Sequence, residues 1–202
     1  MARTSAILTD VSDGTATIRF NQPAARNPLS STTLNELTNA VSLLTARKDL
    51  KVIIFTGADD VFASGADIRE LAQLDAERAF EFAGFGQKLF QTIADATQVT
   101  IAAINGYCMG GGLDLALACD LRIASPQAVF RHPGARLGII TGWGGTQRLP
   151  RLIGRTRALD LLLSARLMNS QEALKVGLIT DLVATPLDAA IRLAETMDGK
   201  PD

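Results

Sequence analysis

The chemically most informative stretch is a cluster of glycines that leads into a helix with one acidic residue. An apolar strand predicted over Thr100–Asn105 is followed by Gly106, then by Gly110–Gly112, with Asp114 in the first turns of the next helix. Backbone N–H groups at a helix start can bind an anion, and the helix dipole favours negative charge there. The pattern therefore predicts chemistry in which an oxyanion develops beside a positioned carboxyl group.

Two nucleotide-binding motifs also place glycines between a strand and a helix, and neither fits this sequence. The dinucleotide motif needs Gly-x-Gly-x-x-Gly, whereas the order here is Gly106-x-x-x-Gly110-Gly111-Gly112. The phosphate loop needs Gly-Lys followed by Ser or Thr, which the sequence lacks. Close packing of the strand on the helix remains an alternative explanation of the glycines.

A second candidate segment is Val61–Ile68, a loop of small residues anchored by Phe62. Small residues let a ligand approach the backbone closely. Asp67 follows at a predicted helix start, where the alternative interpretation is an ordinary helix cap.

A third candidate segment contains the single histidine, His132, and the single tryptophan, Trp143. It runs from Phe130 to Gly138 and continues from Gly142 to Leu149. A lone histidine is more often structural than catalytic. No Gly-x-Ser-x-Gly elbow accompanies it, so a hydrolytic triad is disfavoured.

The bulk composition excludes several classes of function. The 202 residues are 47% apolar, only 5% aromatic and carry a formal net charge of -1. Arg and Lys do not cluster strongly, so no nucleic-acid partner is expected. No apolar run reaches the roughly 18 residues that a membrane span needs, so no membrane partner is expected either. The beginning of the sequence lacks a signal-peptide pattern, which predicts a cytoplasmic location.

Buried apolar strands alternate with helical patterns along the chain, which predicts an α/β layered domain with right-handed crossovers. A hairpin is expected first, and an amphipathic helix capped by Ser30 or Ser31 follows it. Further strands are predicted over Val52–Thr56, Thr100–Asn105, Leu121–Ala124, Ala128–Phe130 and Ile179–Val183. One helix is predicted to begin at Asp67, another to span Asp75–Ala94, and a third to run from the glycine cluster to about Cys119. Further helices are predicted over Gly145–Ile153, Thr156–Ser164, Ser170–Val176 and Pro186–Met197.

In this order, the three candidate segments resemble signatures of the crotonase superfamily, which includes the enoyl-CoA hydratases and isomerases. The resemblance is carried by Phe62–Ile68, Ala103–Ala116 and Leu137–Pro150, and the N-terminal Asn21-Gln-Pro and Asn27-Pro-Leu fit as well. It covers nearly the whole chain. It implies one crotonase-like domain over residues 1–202, a spiral of ββα turns with its core at about 1–185. It also implies a shortened C-terminal helical region, reduced to a helix at about 186–198.

The resemblance implies an acyl-CoA thioester as substrate, with the backbone N–H groups of Ala66 and Gly111 forming an oxyanion hole. Asp114 would be the general acid/base. The coenzyme A part would be bound by residues of two loops, namely Arg26, Ala66, Asp67, Ile68, Arg69 and Gly111. Arginines suit phosphate, although each alone is more often a solvated side chain. No metal or redox cofactor is implied, because coenzyme A is part of the substrate.

The sequence departs from the family pattern at the catalytic acids. Typical hydratases have two glutamates; the first corresponds to Asp114 and the second to Gly134. Some relatives use instead an aspartate at the position of Gly142. One acid is therefore left, shorter by a methylene, and a misplacement of about 1 Å can cost about 10²-fold in rate. If the Phe130–Gly134 segment is extended, His132 shares a side with Gly134 and could replace the missing acid.

Several activities remain compatible with one carboxyl group and an oxyanion hole. The first hypothesis is an enzyme of enoyl-CoA hydratase/isomerase type, performing isomerisation or slower hydration, with Trp143 lining the acyl pocket. The alternatives are a crotonase-family decarboxylase and a non-catalytic acyl-CoA-binding homologue. By resemblance the chain is expected to form a homo-oligomer, a trimer or a dimer of trimers, although the short C-terminus weakens that expectation.

Overall fold

This computed structural model describes residues 5–197, in which the chain winds through two main sheets and forms a third, two-stranded sheet from Pro28–Leu29 and Gly65–Ala66. The strands are β1 (Ile7–Ser12), β2 (Thr15–Phe20), β3 (Pro28–Leu29), β4 (Val52–Thr56), β5 (Val61–Ala63), β6 (Gly65–Ala66), β7 (Val99–Ile104), β8 (Tyr107–Met109), β9 (Leu121–Ala124), β10 (Val129–Arg131), β11 (Met168–Asn169) and β12 (Asp181–Leu182). The helices are α1 (Ser31–Thr45), α2 (Ile68–Leu71), α3 (Ala76–Ala94), α4 (Gly111–Ala118), α5 (Gly145–Ile153), α6 (Arg155–Ser164), α7 (Ser170–Lys175) and α8 (Pro186–Ala194).

Successive turns of the chain each add one strand to each of the two main sheets. The larger sheet has the order β1-β2-β4-β7-β9-β12, and every neighbouring pair after the initial hairpin is parallel. The smaller sheet has the order β11-β10-β8-β5, in which β5, β8 and β10 are parallel. The strands β4, β7 and β9 are followed by β5, β8 and β10 in turn. This arrangement confirms the predicted α/β spiral of ββα turns.

The two central strands are apolar on both faces because both faces of the larger sheet are covered. Alternate residues of β4 and β7 point to opposite sides. Ile53 and Phe55 join the main core, which α1, α3 and α4 cover. Val52 and Ile54 join a second cluster that includes Ala190 and Ala194 of α8. The sandwiched sheet is the rigid base from which the loops of the cavity extend.

The long helices begin and end where local chemistry predicts. The Ser30 hydroxyl accepts a hydrogen bond from the N–H of Thr33 and caps α1, whose buried stripe is Leu34, Leu37, Val41 and Leu44. Asp75 caps α3 in the same way through the N–H of Arg78. The predicted bounds of β4, β9 and α5 agree with the structure residue for residue.

Five short strands were not predicted, among them β3 within a predicted loop and β11 just before α7. Residues 61–66, predicted as loop, contain β5 and β6, and the turn after β7 contains β8. Two- and three-residue strands have too little periodicity to be recognised in a sequence, because their pairing partners define them. The last helix ends at Ala194 rather than near 198, and residue 198 lies outside the described residues.

No helix within residues 5–197 combines the length and the apolar character that crossing a bilayer requires.

Candidate active site

One cavity of about 240 Å³ gathers most of the residues predicted to act in chemistry. Of the predicted site residues, the cavity is lined by Ala66, Ile68, Gly111, Asp114, His132, Gly134 and Trp143. Its remaining walls are mostly apolar side chains from the segment between α2 and α3, from α3 and from the loop before α5, including Leu71, Leu74, Phe82, Leu137, Ile139 and Ile140. The three segments singled out in the sequence therefore converge on one place.

The backbones of Gly65 and Gly111 lie close together, because Gly65 has no side chain to separate them. A Cβ built on Gly65 would lie 2.7 Å from the nitrogen of Gly111, so only glycine allows this spacing. Gly65 also has a φ of +91°, a conformation that side chains rarely adopt. The start of α4 is thus pressed against β6, and the pairing of the N–H groups of Ala66 and Gly111 as donors stays a prediction.

A buried asparagine fixes the loop that carries β6. The Asn27 side chain donates hydrogen bonds to the carbonyls of Val61 (2.8 Å) and Phe62 (3.2 Å) and accepts one from the N–H of Gln22 (2.7 Å). The neighbouring strands β3 and β6 then pair in parallel. The Asn21–Leu29 region, noted in the sequence for its resemblance alone, therefore supports one edge of the cavity.

Asp114 is a buried carboxyl group in the lining of the mostly apolar cavity, with 1% of its surface exposed. One oxygen, Oδ2, accepts a hydrogen bond from the Thr141 hydroxyl. Burial raises the pKa of Asp114 from its ordinary value of 3.8 to about 7. The Thr141 hydroxyl, the backbone of Trp143 and Gly145 and the charge of Arg148 oppose that rise. Asp114 can consequently both hold and release a proton near neutral pH.

The first residue of α5 closes over this carboxyl. A Cβ on Gly145 would overlap Asp114 Oδ1 and would lie 2.9 Å from Thr141 Cγ2 and 3.0 Å from His132 Cε1. The N-terminus of α5 therefore directs its dipole toward Asp114. This field favours the carboxylate, which partly offsets the cost of its burial.

His132 faces the other carboxyl oxygen. Its Nε2 lies 3.3 Å from Asp114 Oδ1, and its surface is 2% exposed. Burial lowers the pKa of His132 from 6.5 to about 4, so the ring is neutral at physiological pH. The structure corrects the assumption that the Phe130–Gly134 segment is extended, because β10 ends at Arg131 and Pro133 is helical.

Gly134, where the family pattern has a second glutamate, is not an empty slot. A Cβ there would lie 2.7 Å from the carbonyl oxygen of Ile139. The chain turns back tightly at this point, since the N–H of Ile139 donates to the carbonyl of Gly134 at 3.0 Å. This chain therefore lacks the second carboxyl group of the family pattern, and the Ile139 carbonyl leaves no room for a side chain at residue 134.

Trp143 lines the cavity, as predicted, and packs against the start of α4. Its ring lies 5.2 Å from that of Phe82 and 5.6 Å from that of Phe90, and its Nε1 donates to the Phe82 carbonyl at 3.3 Å. The ring also occupies the space that side chains at Gly86 and Gly111 would need. Trp143 therefore fixes the position of Gly111 as well as forming a wall.

The residues predicted to bind coenzyme A lie outside the cavity, apart from Ala66, Ile68 and Gly111. Asp67 caps α2 through the N–H of Arg69 and pairs with the Arg69 guanidinium at 2.7 Å. That pairing lowers the pKa of Asp67. Arg26 is exposed and stacks over the Tyr107 ring at 5.6 Å. In the structure, Asp67 and Arg69 pair with each other and Arg26 stacks on Tyr107. Phosphate binding by these arginines stays a prediction.

The sequence reasoning missed Thr141, Gly145 and the contribution of α3. Thr141 and Gly145 belong to the Leu137–Pro150 signature, but nothing in the sequence shows that they meet Asp114. The apolar stripe of α3 indicates that one face of this helix is buried, but the sequence does not show that this face lines the cavity. Only the tertiary contacts assign these residues to the site.

Sequence comparisons match most of this chain to known enoyl-CoA hydratases. A family model described as enoyl-CoA hydratase/isomerase matches residues 10–201. The crotonyl-CoA hydratase of Syntrophomonas wolfei is 41% identical over 178 residues, covering 88% of this chain and 68% of the relative. The short-chain-enoyl-CoA hydratase of Clostridium acetobutylicum is 38% identical over 169 residues, covering 83% and 65%. The chain spans about two thirds of the length of these curated relatives.

Solved structures show the same agreement. The enoyl-CoA hydratase from Bacillus anthracis superposes with a TM-score of 0.90 at 36% identity, covering 94% of this chain and 75% of that chain. The enoyl-CoA hydratase from Thermoplasma volcanium reaches 0.92 at 32% identity, covering 98% and 79%.

Proposed function

The chain belongs to the enoyl-CoA hydratase/isomerase family, and from that membership we propose that its cavity binds an acyl-CoA thioester and moves a proton at a carbon beside the thioester carbonyl. One observation carries the proposal: a buried carboxyl group, Asp114, lies in an apolar cavity beside the start of α4. A carboxyl in such surroundings is placed for acid–base work rather than for solubility.

We propose that the N–H groups of Ala66 and Gly111 stabilise the thioester oxygen. Removal of a proton next to the carbonyl gives an enolate, whose negative charge concentrates on that oxygen. Fixed donors in a site that excludes water stabilise this charge without reorganising, and one such donor is worth about 3–4 kcal/mol elsewhere. The close approach of Gly65 to the Gly111 nitrogen supports this assignment.

Asp114 is proposed as the group that carries the proton. In its carboxylate form it removes a proton from the substrate, and as the acid it returns that proton to another carbon. A pKa of about 7 suits both halves of the cycle, because neither form is strongly favoured at neutral pH.

The lack of a second carboxyl at Gly134 favours a reaction that needs one proton carrier. Isomerisation of an enoyl-CoA double bond removes and returns the same proton, so Asp114 suffices. Hydration also needs a group that holds the attacking water, and the Ile139 carbonyl occupies the space beside Gly134. Isomerisation is therefore proposed as the faster reaction and hydration as the slower one, without a metal or redox cofactor.

The coenzyme A part of the substrate is proposed to lie along the loops before β3 and after β6. Arg26 and Arg69 are exposed there and could pair with phosphate groups, while Ile68 lines the cavity and Asp67 precedes it in the chain. A fourfold rise in salt should weaken binding if these arginines contribute, because exposed charge pairs are screened.

The proposal is tested with a panel of 2-enoyl-CoA, 3-enoyl-CoA and malonyl-type CoA thioesters. Turnover that shifts a double bond or adds water, and that disappears in Asp114→Asn, supports the proposal. Loss of carbon dioxide from the malonyl-type substrates alone indicates a decarboxylase instead. Calorimetry with a saturated acyl-CoA completes the test: binding without turnover on any substrate indicates a non-catalytic homologue, and no binding contradicts the whole proposal.

We also propose that the chain associates with copies of itself. Leu163 on α6 is 71% exposed, and Leu159 and Leu167 nearby are also exposed. Neighbouring exposed leucines are typical of interaction surfaces. Light scattering should give a multiple of the 21.4 kDa chain mass, and Leu163→Asp should lower it. A monomer in both cases contradicts this part.

A further inference from the structure

We propose that His132 and Asp114 act as one proton-holding pair, in which His132 is a positioning residue that hydrogen-bonds to the carboxyl in both of its protonation states. The catalytic consequence rests on the proposed function, whereas the pair itself can be detected without any substrate. This assignment differs from a replacement acid, because His132 acts here through Asp114 rather than on the substrate.

Two buried polar atoms that face each other carry the proposal. Asp114 Oδ1 and His132 Nε2 lie 3.3 Å apart, and each is shielded from solvent. Within residues 5–197 neither atom has another hydrogen-bond partner of regular geometry. Buried polar groups in native proteins are nearly always paired, and each exception requires a reason. The 3.3 Å separation is within hydrogen-bond reach, so each of these two atoms is the available partner of the other.

The groups around Asp114 and His132 are already paired with other partners or neutral. The remaining oxygen, Oδ2, accepts from Thr141, and Gly145 at the start of α5 fills the space above Oδ1. Among the described residues, the other charged group that acts on the carboxyl is Arg148 on α5, and the carboxyl in turn acts on the Cys108 thiol of β8. Burial raises the pKa of the Cys108 thiol, which keeps it neutral. Arg148 donates instead to the Trp143 carbonyl and the Gln91 side chain.

Histidine suits this position because its ring nitrogens can exchange roles. With the proton on Nε2, neutral His132 donates to the Asp114 carboxylate. With the proton on Nδ1, it accepts at Nε2 from the protonated carboxyl. A carboxyl that changes protonation in every turnover therefore keeps its partner and its orientation. A lysine would stabilise only the carboxylate, and a phenylalanine neither form.

The single histidine of the chain makes the test direct. Long-range proton–nitrogen NMR spectra of the untagged protein report the tautomer and protonation of His132 alone. We expect a neutral ring from pH 5 upward and a change in the Nε2 shift near pH 7, where Asp114 titrates. In Asp114→Asn the change near pH 7 should be lost, and in the surface control Asp10→Asn it should persist. A flat curve in the native protein, or the same curve in Asp114→Asn, overturns the pair.

The pH dependence of unfolding gives a second readout. The folded pKa of Asp114 is raised from 3.8 to about 7, so its contribution to stability falls as pH rises through this window. The folded pKa of His132 is lowered from 6.5 to about 4, so its contribution rises with pH over nearly the same window. The two slopes oppose each other in the native protein. Urea unfolding at pH 4.5 and pH 6.5 should therefore show stability rising with pH in Asp114→Asn and falling in His132→Gln. Equal slopes in all three proteins contradict these two pKa shifts.

Activity measurements then separate positioning from packing. His132→Phe should lower kcat about 30-fold with little change in KM and should move the pH midpoint of kcat/KM. His132→Gln, whose amide can also donate or accept, should recover most of the activity. Equal losses in both variants with an unchanged pH midpoint overturn the positioning role. If no substrate is turned over, the NMR results still decide whether the pair exists.

Discussion

The two sides of the cavity are built on opposite principles, although one signature segment contributes to both. The polar wall consists of the buried Asp114 and His132 together with the half-buried Thr141, and the Asp114 carboxyl contacts both of the others. The apolar rim, residues 134–140, carries Leu137, Ile139 and Ile140, which are about half exposed or more. Buried polar groups hold a unique arrangement because each unmade bond is costly, whereas an exposed apolar rim has no such constraint. The wall can therefore position chemistry, and the rim can only cover the substrate and exclude water.

The largest expected effect is on the polar wall itself. Asp114→Asn keeps the shape of the side chain but cannot carry a proton, so turnover should fall about 10³-fold. Binding of a saturated acyl-CoA, measured by calorimetry, should change by no more than about threefold, because the apolar walls remain. Asp10→Asn, on the exposed strand β1, is the matched control. Turnover within a factor of two of the native chain would remove Asp114 from the mechanism.

The second prediction concerns a carboxyl group introduced into the apolar rim. Gly134→Glu should not restore a two-carboxylate site, since its Cβ would lie 2.7 Å from the Ile139 carbonyl. We expect a loss of about 1–3 kcal/mol in unfolding free energy, as in other overpacked sites, and a fall of about 10²-fold in turnover from the displaced rim.

Gly142→Asp is the matched comparison for that variant. A Cβ at Gly142 would meet the Ala83 Cβ at 3.6 Å, an ordinary contact. Its effect on urea unfolding should stay within about 0.5 kcal/mol. Faster hydration by Gly134→Glu than by the native chain would contradict our interpretation of the rim.

A smaller effect is expected from the hydroxyl that supports Asp114. Thr141→Val removes a donor that favours the carboxylate, so the pKa of Asp114 should rise further. Because the carboxylate begins the proposed cycle, the rising limb of kcat/KM should move to higher pH, with about a tenfold loss at pH 7 and recovery at pH 9. Thr146→Val, in the same segment but outside the cavity lining, serves as control. A pH-independent loss would mean that Thr141 only packs.

The smallest effect should come from the rim. Ile140 is 69% exposed, so Ile140→Ser removes modest apolar cover from the cavity mouth. We expect KM to rise about threefold with kcat unchanged, as for a contact equally strong in ground and transition states. A drop in kcat with constant KM would place the rim among the groups that act in the chemical step.

The sequence predicted the long elements and the convergence of its three unusual segments. Local capping and buried stripes define α1 and α3, and continuous apolar runs define β4 and β7, so these need no tertiary information. Asp114 was predicted from its place after the glycines. The short strands β5, β6 and β8 were not, because a strand of two or three residues is defined by its neighbours.

The environment of Asp114 is where the sequence was least informative. The missing glutamate was visible as Gly134, but the Ile139 carbonyl that replaces its space was not. His132 was considered as a substitute acid on the assumption of an extended strand, and the helical Pro133 places its ring against Asp114 instead. Thr141 lies in a recognised signature without any local sign of its partner.

By itself, the sequence determined which residues are capable of chemistry and an α/β alternation of elements, because glycine spacing, caps and apolar runs act locally. The spiral that brings their segments together was implied by the family resemblance. Tertiary structure alone decided what that chemistry can be. Burial sets the pKa of Asp114, and the contacts with Thr141, His132 and Gly145 set its orientation. Both depend on atoms distant in sequence, since desolvation and hydrogen bonding act through space.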